Sequence, residues 1–215
     1  QSPISAKAAE GSVYLKTIGS DLKLTDDSEI VFGKDIGLAS DKTVIIEKSD
    51  GITASDGSIY IDSNGLFNLD KNLTAKNYIE IKGANGINLQ SNSTLTTTGT
   101  GEGVGNINII NAGASSGQGK GVVNINNINS TGKVSIKSDN VRTDSNKLTI
   151  NSGATIQASK GIDIASGTGI NQNAGSSIIN TDSGNISITN TVGESNIGRV
   201  INQNGDITIS SSTNN

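Results

Sequence analysis

The chain has 215 residues, a formal net charge of −4, 32% hydrophobic residues and only 2% aromatic residues. It contains no cysteine and no histidine, which excludes disulfides, the usual zinc sites and the histidine-dependent nucleophile systems. Nucleic-acid binding calls for a basic surface and a membrane span for about 18 apolar residues, and the sequence offers neither. We therefore expect no nucleic-acid partner and no membrane insertion.

Along the chain, residues 1–10 lack apolar alternation and predict a lead-in strand or linker. Beyond them, short runs alternate apolar and polar residues. The clearest is glycine, polar, isoleucine, polar, isoleucine, which stands at 57–61, 105–109, 184–188 and 205–209. Such alternation predicts a short strand with one buried face, and the glycine marks the corner that precedes it.

Every third run falls into a common column, and the columns advance by a nearly constant step of about 22 residues, a period typical of repeat architectures. In the first half the columns are Val13, Ile36, Ile59 and Ile79; Leu22, Val44, Leu66 and Ile87; and Ile30, Ile52, Leu73 and Leu95. In the second half they are Val134, Ile156, Ile178 and Val200; Val141, Ile162, Ile186 and Ile207; and Leu148, Ile170 and Val192. This repeat predicts an all-β fold: a single-stranded parallel β-helix solenoid with three short strands per coil and about ten coils.

We interpret residues 1–215 as one continuous solenoid segment and, because methionine is absent, as a piece of a longer chain. Asparagine, aspartate and glycine are expected at the corners in left-handed backbone conformations. Asparagines repeated at equivalent corners are expected to hydrogen-bond from coil to coil. Between residues 99 and 132 the register is disturbed, and glycine-rich loops over 99–121 predict either plain surface loops or a recognition loop on a rigid rod.

The carboxylates that could support catalysis are Asp26, Asp27, Glu29, Asp56 and Asp62. A glycosidase needs two carboxylates about 5–9.5 Å apart, normally with aromatic platforms for the sugar. Because lysines alternate with these residues, we interpret them as a solvated face and predict no enzymatic activity. A β-helix polysaccharide lyase or hydrolase remains as an alternative.

Calcium is a second alternative for the acidic residues, either at Asp26 and Asp27 or along residues 62–65. The glycine-rich repeat of calcium β-rolls does not occur in the sequence. We therefore expect neither a metal nor a cofactor.

Three tyrosines, Tyr14, Tyr60 and Tyr78, each adjoin an inward residue of one column and should point outward from the same sheet. They are candidates for ligand binding, to a carbohydrate or to a protein. The alternative is that tyrosine merely suits an exposed strand. Four Asn-x-Ser/Thr sequences provide candidate glycosylation sites at Asn72, Asn92, Asn129 and Asn185.

The sequences at 184–188 and 205–209, with the variant Lys160-Gly161-Ile162-Asp163-Ile164, resemble the repeats of filamentous-haemagglutinin-like exoproteins of bacterial two-partner secretion. The resemblance implies a right-handed coil, secretion to the bacterial surface through an outer-membrane secretion partner, and a role in adhesion. A structural shaft that presents binding regions away from the cell is the function it implies first. Its partner would be a glycan or protein on a host or neighbouring cell.

Overall fold

The computed structural model describes residues 3–112, 121–139 and 148–212. Within these ranges the regular structure is all β, without a helix, and the strands pair in parallel. The sheets stack as a solenoid of about eight turns with about three strands per coil. The predicted fold class is thus confirmed, although the turns are fewer than predicted because several coils are longer than the predicted repeat.

Most coils contribute one strand to each of three long sheets, and the coils at the two ends contribute fewer. Sheet 1 has nine strands: β2 (Val13–Thr17), β5 (Ile36–Ser40), β8 (Ile59–Ser63), β11 (Tyr78–Gly83), β14 (Asn106–Asn111), β17 (Val134–Ser138), β20 (Ile162–Ser166), β23 (Ile186–Asn190) and β25 (Ile207–Ser211). Sheet 2 has seven: β3 (Leu22–Leu24), β6 (Val44–Ile46), β9 (Phe67–Leu69), β12 (Ile87–Leu89), β15 (Val123–Ile125), β18 (Leu148–Ile150) and β21 (Ile170–Gln172).

Sheet 3 also has seven strands: β7 (Ile52–Ala54), β10 (Leu73–Ala75), β13 (Thr94–Thr97), β16 (Asn127–Ser130), β19 (Thr155–Ala158), β22 (Ser177–Asn180) and β24 (Arg199–Asn202). A separate two-stranded sheet joins β1 (Ser5–Ala8) to β4 (Glu29–Phe32). Residues 1–10, expected to be a lead-in, thus contain a paired strand.

The core lies inside the coils and consists of the inward residues of the three sheets. In β8, for example, Ile59 and Ile61 are fully buried, whereas Tyr60 and Asp62, which alternate with them along the strand, face outward. Each inward residue packs against its equivalents on the coils before and after it, so the apolar ladder runs along the axis. Neighbouring coils complete the core, which explains why a chain with 32% hydrophobic residues can fold.

Several predicted columns are confirmed by the strand register. Val13, Ile36, Ile59 and Ile79 pair in sequence along sheet 1. Ile52, Leu73 and Leu95 do so in sheet 3, as do Ile156, Ile178 and Val200. Ile162, Ile186 and Ile207 form the far end of the sheet 1 column. In all of these coils the step between paired residues stays close to the predicted period.

Other column assignments are wrong. Val44 pairs with Phe67 rather than Leu66, because Phe67 and Leu69 alternate inward in β9. Ile30 pairs with Ala6 in the small sheet instead of continuing to Ile52.

Two errors lie in the second half of the chain. Val134 belongs to sheet 1, between Ile107 and Ile162, and not to the column of Val200. Val192 lies in a turn, and Asn196 makes the bridge that continues sheet 2. The position predicted for Val141 lies outside the described residues.

The residue types at the corners have roles different from those predicted. Among the described residues, positive φ angles occur only at glycines, so asparagine and aspartate do not supply left-handed corners. Gly184 and Gly205 have φ of 92° and 128°, and an added Cβ at either would lie within 3 Å of the backbone of the preceding coil. Glycine is therefore required at these corners by conformation and by close approach.

Asparagine and aspartate instead connect successive coils through their side chains. The Asn72 Oδ1 accepts a hydrogen bond from the Thr94 N–H at 3.0 Å, and the Asp35 Oδ1 accepts one from the Ser58 N–H at 2.8 Å. Asparagine-to-asparagine bonds between coils are also present, but these lie within strands, on the outer face of sheet 2, and not at the predicted corners. There Asn88 donates to Asn68 at 2.8 Å, and Asn124 donates to Asn88 at 3.1 Å.

Candidate functional site

The three tyrosines lie on the outer face of sheet 1, as predicted, and they are all the tyrosines of the chain. Tyr14 on β2 is 67% exposed and Tyr60 on β8 is 38% exposed, while Tyr78 on β11 is half-buried. The rings of Tyr60 and Tyr78 lie 6.1 Å apart at an interplanar angle of 56°. That geometry is favourable for a tilted aromatic pair.

The register of sheet 1 places Tyr14, Gly37, Tyr60 and Glu80 in one row across neighbouring strands. Gly37 stands between the first two tyrosines without a side chain. A Cβ added there would lie 2.4 Å from the Cδ1 of Tyr14, so the Tyr14 ring covers Gly37. The Gly37 φ is not left-handed, which means that space and not backbone conformation makes glycine matter here.

An open groove of about 370 Å³ follows this row. Its lining includes the aromatic residues Tyr14 and Tyr60 and the small residues Gly37 and Ala39, and the Tyr14 ring lies over Gly37. The parallel row, two residues further along each strand, adds Lys16, Ala39, Asp62 and Lys82. The groove therefore combines an aromatic surface with charged groups of both signs along its rim.

Glu80 is the most tightly held of these charged groups. Its carboxylate pairs with the Lys82 Nζ at 2.7 Å and accepts hydrogen bonds from the Tyr78 hydroxyl at 3.2 Å and the Asn108 amide at 3.5 Å. Burial opposes the ionisation of Glu80 and would raise its pKa. The hydrogen bond and charge of Lys82, together with the hydrogen bonds from Tyr78 and Asn108, outweigh burial and lower the pKa of Glu80. Glu80 is thus held as a carboxylate.

The neighbouring groups respond to the same arrangement. Accepting the Lys82 hydrogen bond, Glu80 raises the pKa of that ammonium group, so Lys82 remains charged. Burial raises the pKa of Tyr78, with a further contribution from the Glu80 charge, so its hydroxyl remains a donor. At neutral pH the groove presents fixed donors and acceptors.

Of the five carboxylates singled out in the sequence, only Asp62 lines this groove. Glu29 is paired with Lys7 at 2.6 Å, Asp56 with Lys76 at 2.8 Å, and Asp26 accepts the Ser49 N–H at 2.6 Å. These contacts lower the pKa of each of the three, and in Asp26 the backbone bond is the largest cause. They connect coils and are spread over the surface.

Neither candidate calcium site, Asp26 with Asp27 or residues 62–65, has a cluster of ligands. Among the residues that the structure describes, no three acidic side chains come together to hold a metal ion. In the 62–65 segment, the Ser63 hydroxyl is buried and donates to the Lys42 and Leu66 carbonyls, whereas Asp62 points outward.

The four candidate glycosylation residues, Asn72, Asn92, Asn129 and Asn185, are all exposed. Two of them already take part in contacts between coils. Asn72 accepts the Thr94 N–H, and the Asn185 Oδ1 accepts the Asp206 N–H at 3.0 Å. A glycan at either site would have to leave the amide oxygen in place.

Part of the glycine-rich segment 99–121 is hydrogen-bonded to the next two coils. The Gly99 carbonyl accepts a hydrogen bond from the Thr131 hydroxyl at 2.5 Å, and the Gly101 carbonyl accepts one from the Lys160 ammonium group. Residues 113–120 of this candidate recognition loop lie outside the described residues. The regular strands β14, β15 and β16 stand inside the interval 99–132.

Sequence reasoning missed Gly37 and Glu80 as groove residues, although a signal was present. The steps that align the inward column of Val13, Ile36, Ile59 and Ile79 also carry Tyr14 to Gly37, then to Tyr60 and to Glu80. Following the outward residues through the same steps would have found the row. Tyr78 lies out of this row, opposite Asn106 on the next strand.

Comparison with known proteins adds no functional assignment. No family model, no curated protein and no solved structure matches the chain. The described part of the chain also contains no helix with the length and hydropathy required to cross a membrane.

Proposed function

We propose that the chain is a rod segment of a large secreted or surface-attached bacterial adhesin, which presents binding regions away from the cell. The observation that carries this proposal is sheet 1, whose nine strands follow one another along the axis without a break in strand order. A body built in this way grows in length with each coil and keeps a constant cross-section. Such a shape serves to separate two points rather than to enclose a reaction.

The strand pairing also supports secretion as an extended chain. Each strand pairs with the equivalent strand of the adjacent coil, from the short step between Ile59 and Ile79 to the long step between Ile87 and Val123. Each coil therefore needs only the coil before it as a template. A chain that emerges gradually from an outer-membrane secretion partner can fold coil by coil under these conditions.

The proposal is tested by using the chain as a spacer on a bacterial surface. The chain is inserted between an outer-membrane anchor and a small binding domain, and capture of the bacteria by target-coated beads is measured. A glycine-serine linker of about ten residues serves as the control, since its root-mean-square span of about 17 Å is well short of the rod, which extends about 38 Å over eight coil-to-coil steps. We expect the rod to give more capture than the linker, because it holds the binding domain further out.

Equal capture by the rod and the linker would contradict the shaft function. The same cells without the fused binding domain provide the second comparison. If they adhere to target cells through Tyr60, the segment acts as a binding module and not as a passive spacer.

A further inference from the structure

We infer that the groove on sheet 1 is a binding site for pyranose rings of a neutral glycan, with the sugar packed against the rings of Tyr14 and Tyr60. This inference is independent of the rod function, because it assigns a ligand to one face of the first coils. It commits to a carbohydrate rather than to a protein.

The dimensions of the groove suit sugar rings. Tyr14 and Tyr60 lie two strands apart, so their backbones are separated by about 9.6 Å. The volume of about 370 Å³ lies near the lower end of the range for small-ligand sites. Because the groove is open along the sheet, a chain of linked rings can enter it from the side.

The surface chemistry favours a ligand with one apolar face and many hydroxyl groups. A pyranose presents C–H groups on the faces of its ring and hydroxyl groups around its edge. The tyrosine rings offer a flat apolar surface to the C–H groups. The carboxylate of Asp62 and the ammonium group of Lys16 both line the groove. The carboxylate can accept hydrogen bonds from the sugar hydroxyl groups, and the ammonium group can donate to them.

The charges of the groove favour a neutral glycan over an ionic one. Lys16 and Lys82 oppose Asp62 and Glu80, so the lining has two groups of each sign. Glu80 and Lys82 already neutralise each other at 2.7 Å. No excess of either sign remains to attract a sulfated or uronic acid chain.

The same geometry favours binding over hydrolysis. Asp62 and Glu80 lie on adjacent strands, but a glycosidase requires one carboxylic acid that remains protonated near neutral pH. Glu80 is held ionised by Lys82, Tyr78 and Asn108. The groove therefore lacks a general acid in the position where Glu80 stands.

The chain has three tyrosines and no tryptophan, so all of its tyrosine emission comes from this face. The experiment titrates the full chain with cellohexaose, maltohexaose and N-acetylchitohexaose, and with a heparin hexasaccharide as the anionic comparison. Tyrosine emission and isothermal calorimetry are recorded. We expect at least one neutral hexasaccharide to bind with a Kd of about 1 mM or tighter, and to bind more tightly than the heparin fragment.

Variants locate the site. Tyr60→Ala should weaken binding about tenfold, while Tyr60→Phe, which keeps the ring, should remain within about threefold of the parent. Gly37→Ala should also weaken binding, because its methyl group displaces the Tyr14 ring while the strand conformation remains allowed. Ser187→Ala is the matched control and should bind like the parent, because Ser187 lies in the same outward row as Tyr60 but five strands away from it along sheet 1.

Absence of binding to any of the three neutral sugars would overturn the inference, as would equal binding by the parent and both the Tyr60→Ala and Gly37→Ala variants. Preference for the heparin fragment would overturn the neutral-glycan assignment, and tyrosine-dependent capture of a protein without sugar binding would replace it. New reducing ends during incubation would replace binding by hydrolysis. A chain that keeps its rod length but binds no sugar would leave the proposed function standing.

Discussion

At the residue scale, the direction in which each side chain points determines what a substitution does. Ile186 is fully buried in sheet 1, between Ile162 and Ile207 on the neighbouring coils. Thr189, further along the same strand, faces outward between Ala165 and Ser210. Because the two positions share a strand, they separate the effect of burial from that of strand propensity.

Ile186→Asp should lower the free energy of unfolding by at least about 3 kcal/mol, because it buries an unpaired carboxylate and removes apolar contacts. Thr189→Asp should cost no more than about 1 kcal/mol, which is the strand-propensity difference between threonine and aspartate. Urea denaturation of both variants followed by circular dichroism measures the difference. Similar losses in the two variants would contradict the inward and outward assignment.

Glu80 should make stability depend on pH. Its pKa in the folded chain lies below the ordinary value, so its stabilising contribution is present above the unfolded pKa of about 4.5 and is lost as the pH falls through the folded pKa. Glu80→Gln removes this dependence. We expect the parent to exceed the variant in stability near pH 7 and to lose that advantage in acid, which denaturation at pH 7 and pH 3 will measure.

A Glu80→Gln variant with an unchanged stability difference at both pH values would contradict the hydrogen-bonded carboxylate described here. Asp163→Asn is the matched control. Asp163 lies in the same outward row and pairs with Lys133, but that pair is about half exposed. Exposed pairs of this kind contribute little to stability.

At the scale of the strand and its corner, the sequence predicts most of the architecture but not all of its register. The alternation of isoleucine and polar residues is sufficient to identify strands such as β8, β20 and β23. Register is mostly predicted correctly where the coils keep close to the regular repeat, with Leu66 and Ile30 as the exceptions. It fails where a coil is lengthened, as between Ile107, Val134 and Ile162, because a constant step then points to the wrong sheet.

The corners show why composition alone misassigns roles. Asparagine tolerates left-handed conformations, so the sequence favours it for that role, yet glycine takes all such positions among the described residues. What the sequence cannot show is the backbone N–H that the next coil brings near an amide or carboxylate side chain. The Asn72 contact with Thr94 exists only because the two coils are in register.

Asn72→Ala should lower the free energy of unfolding by about 1 kcal/mol, since it leaves the Thr94 N–H without this acceptor. Asn92→Ala is the matched control, because Asn92 is exposed and the described residues show no such contact for its side chain. Its substitution should change stability by less than about 0.5 kcal/mol. Thermal and urea denaturation of the pair will test this, and equal effects would remove the role assigned to the corner side chains.

At the scale of the whole molecule, the solenoid should tolerate the loss of a complete coil. Ile162 and Ile186 are paired neighbours in sheet 1, so deletion of residues 162–185 joins Gly161 to the equivalent position one coil later. Every remaining strand keeps its face. We expect a cooperative melt and an all-β circular-dichroism spectrum.

Deletion of residues 162–173 removes about half of the same coil and is the control. It moves the following strands to the wrong sheets, which exposes apolar residues and buries polar ones. This variant should unfold or aggregate. If both deletions were equally damaging, stability would not be organised by whole coils.

The distance between the two ends of sheet 1 tests the central claim most directly. Lys16 and Ser210 lie in one outward row on the first and last strands, and the chain has no native cysteine, so both can be replaced by spin-labelled cysteines. Pulsed electron paramagnetic resonance should give a narrow distance of about 38 Å, eight steps of about 4.8 Å, which deletion of residues 162–185 should shorten by about one step. A broad distribution, or a distance unchanged by the deletion, would contradict a rod built from stacked coils.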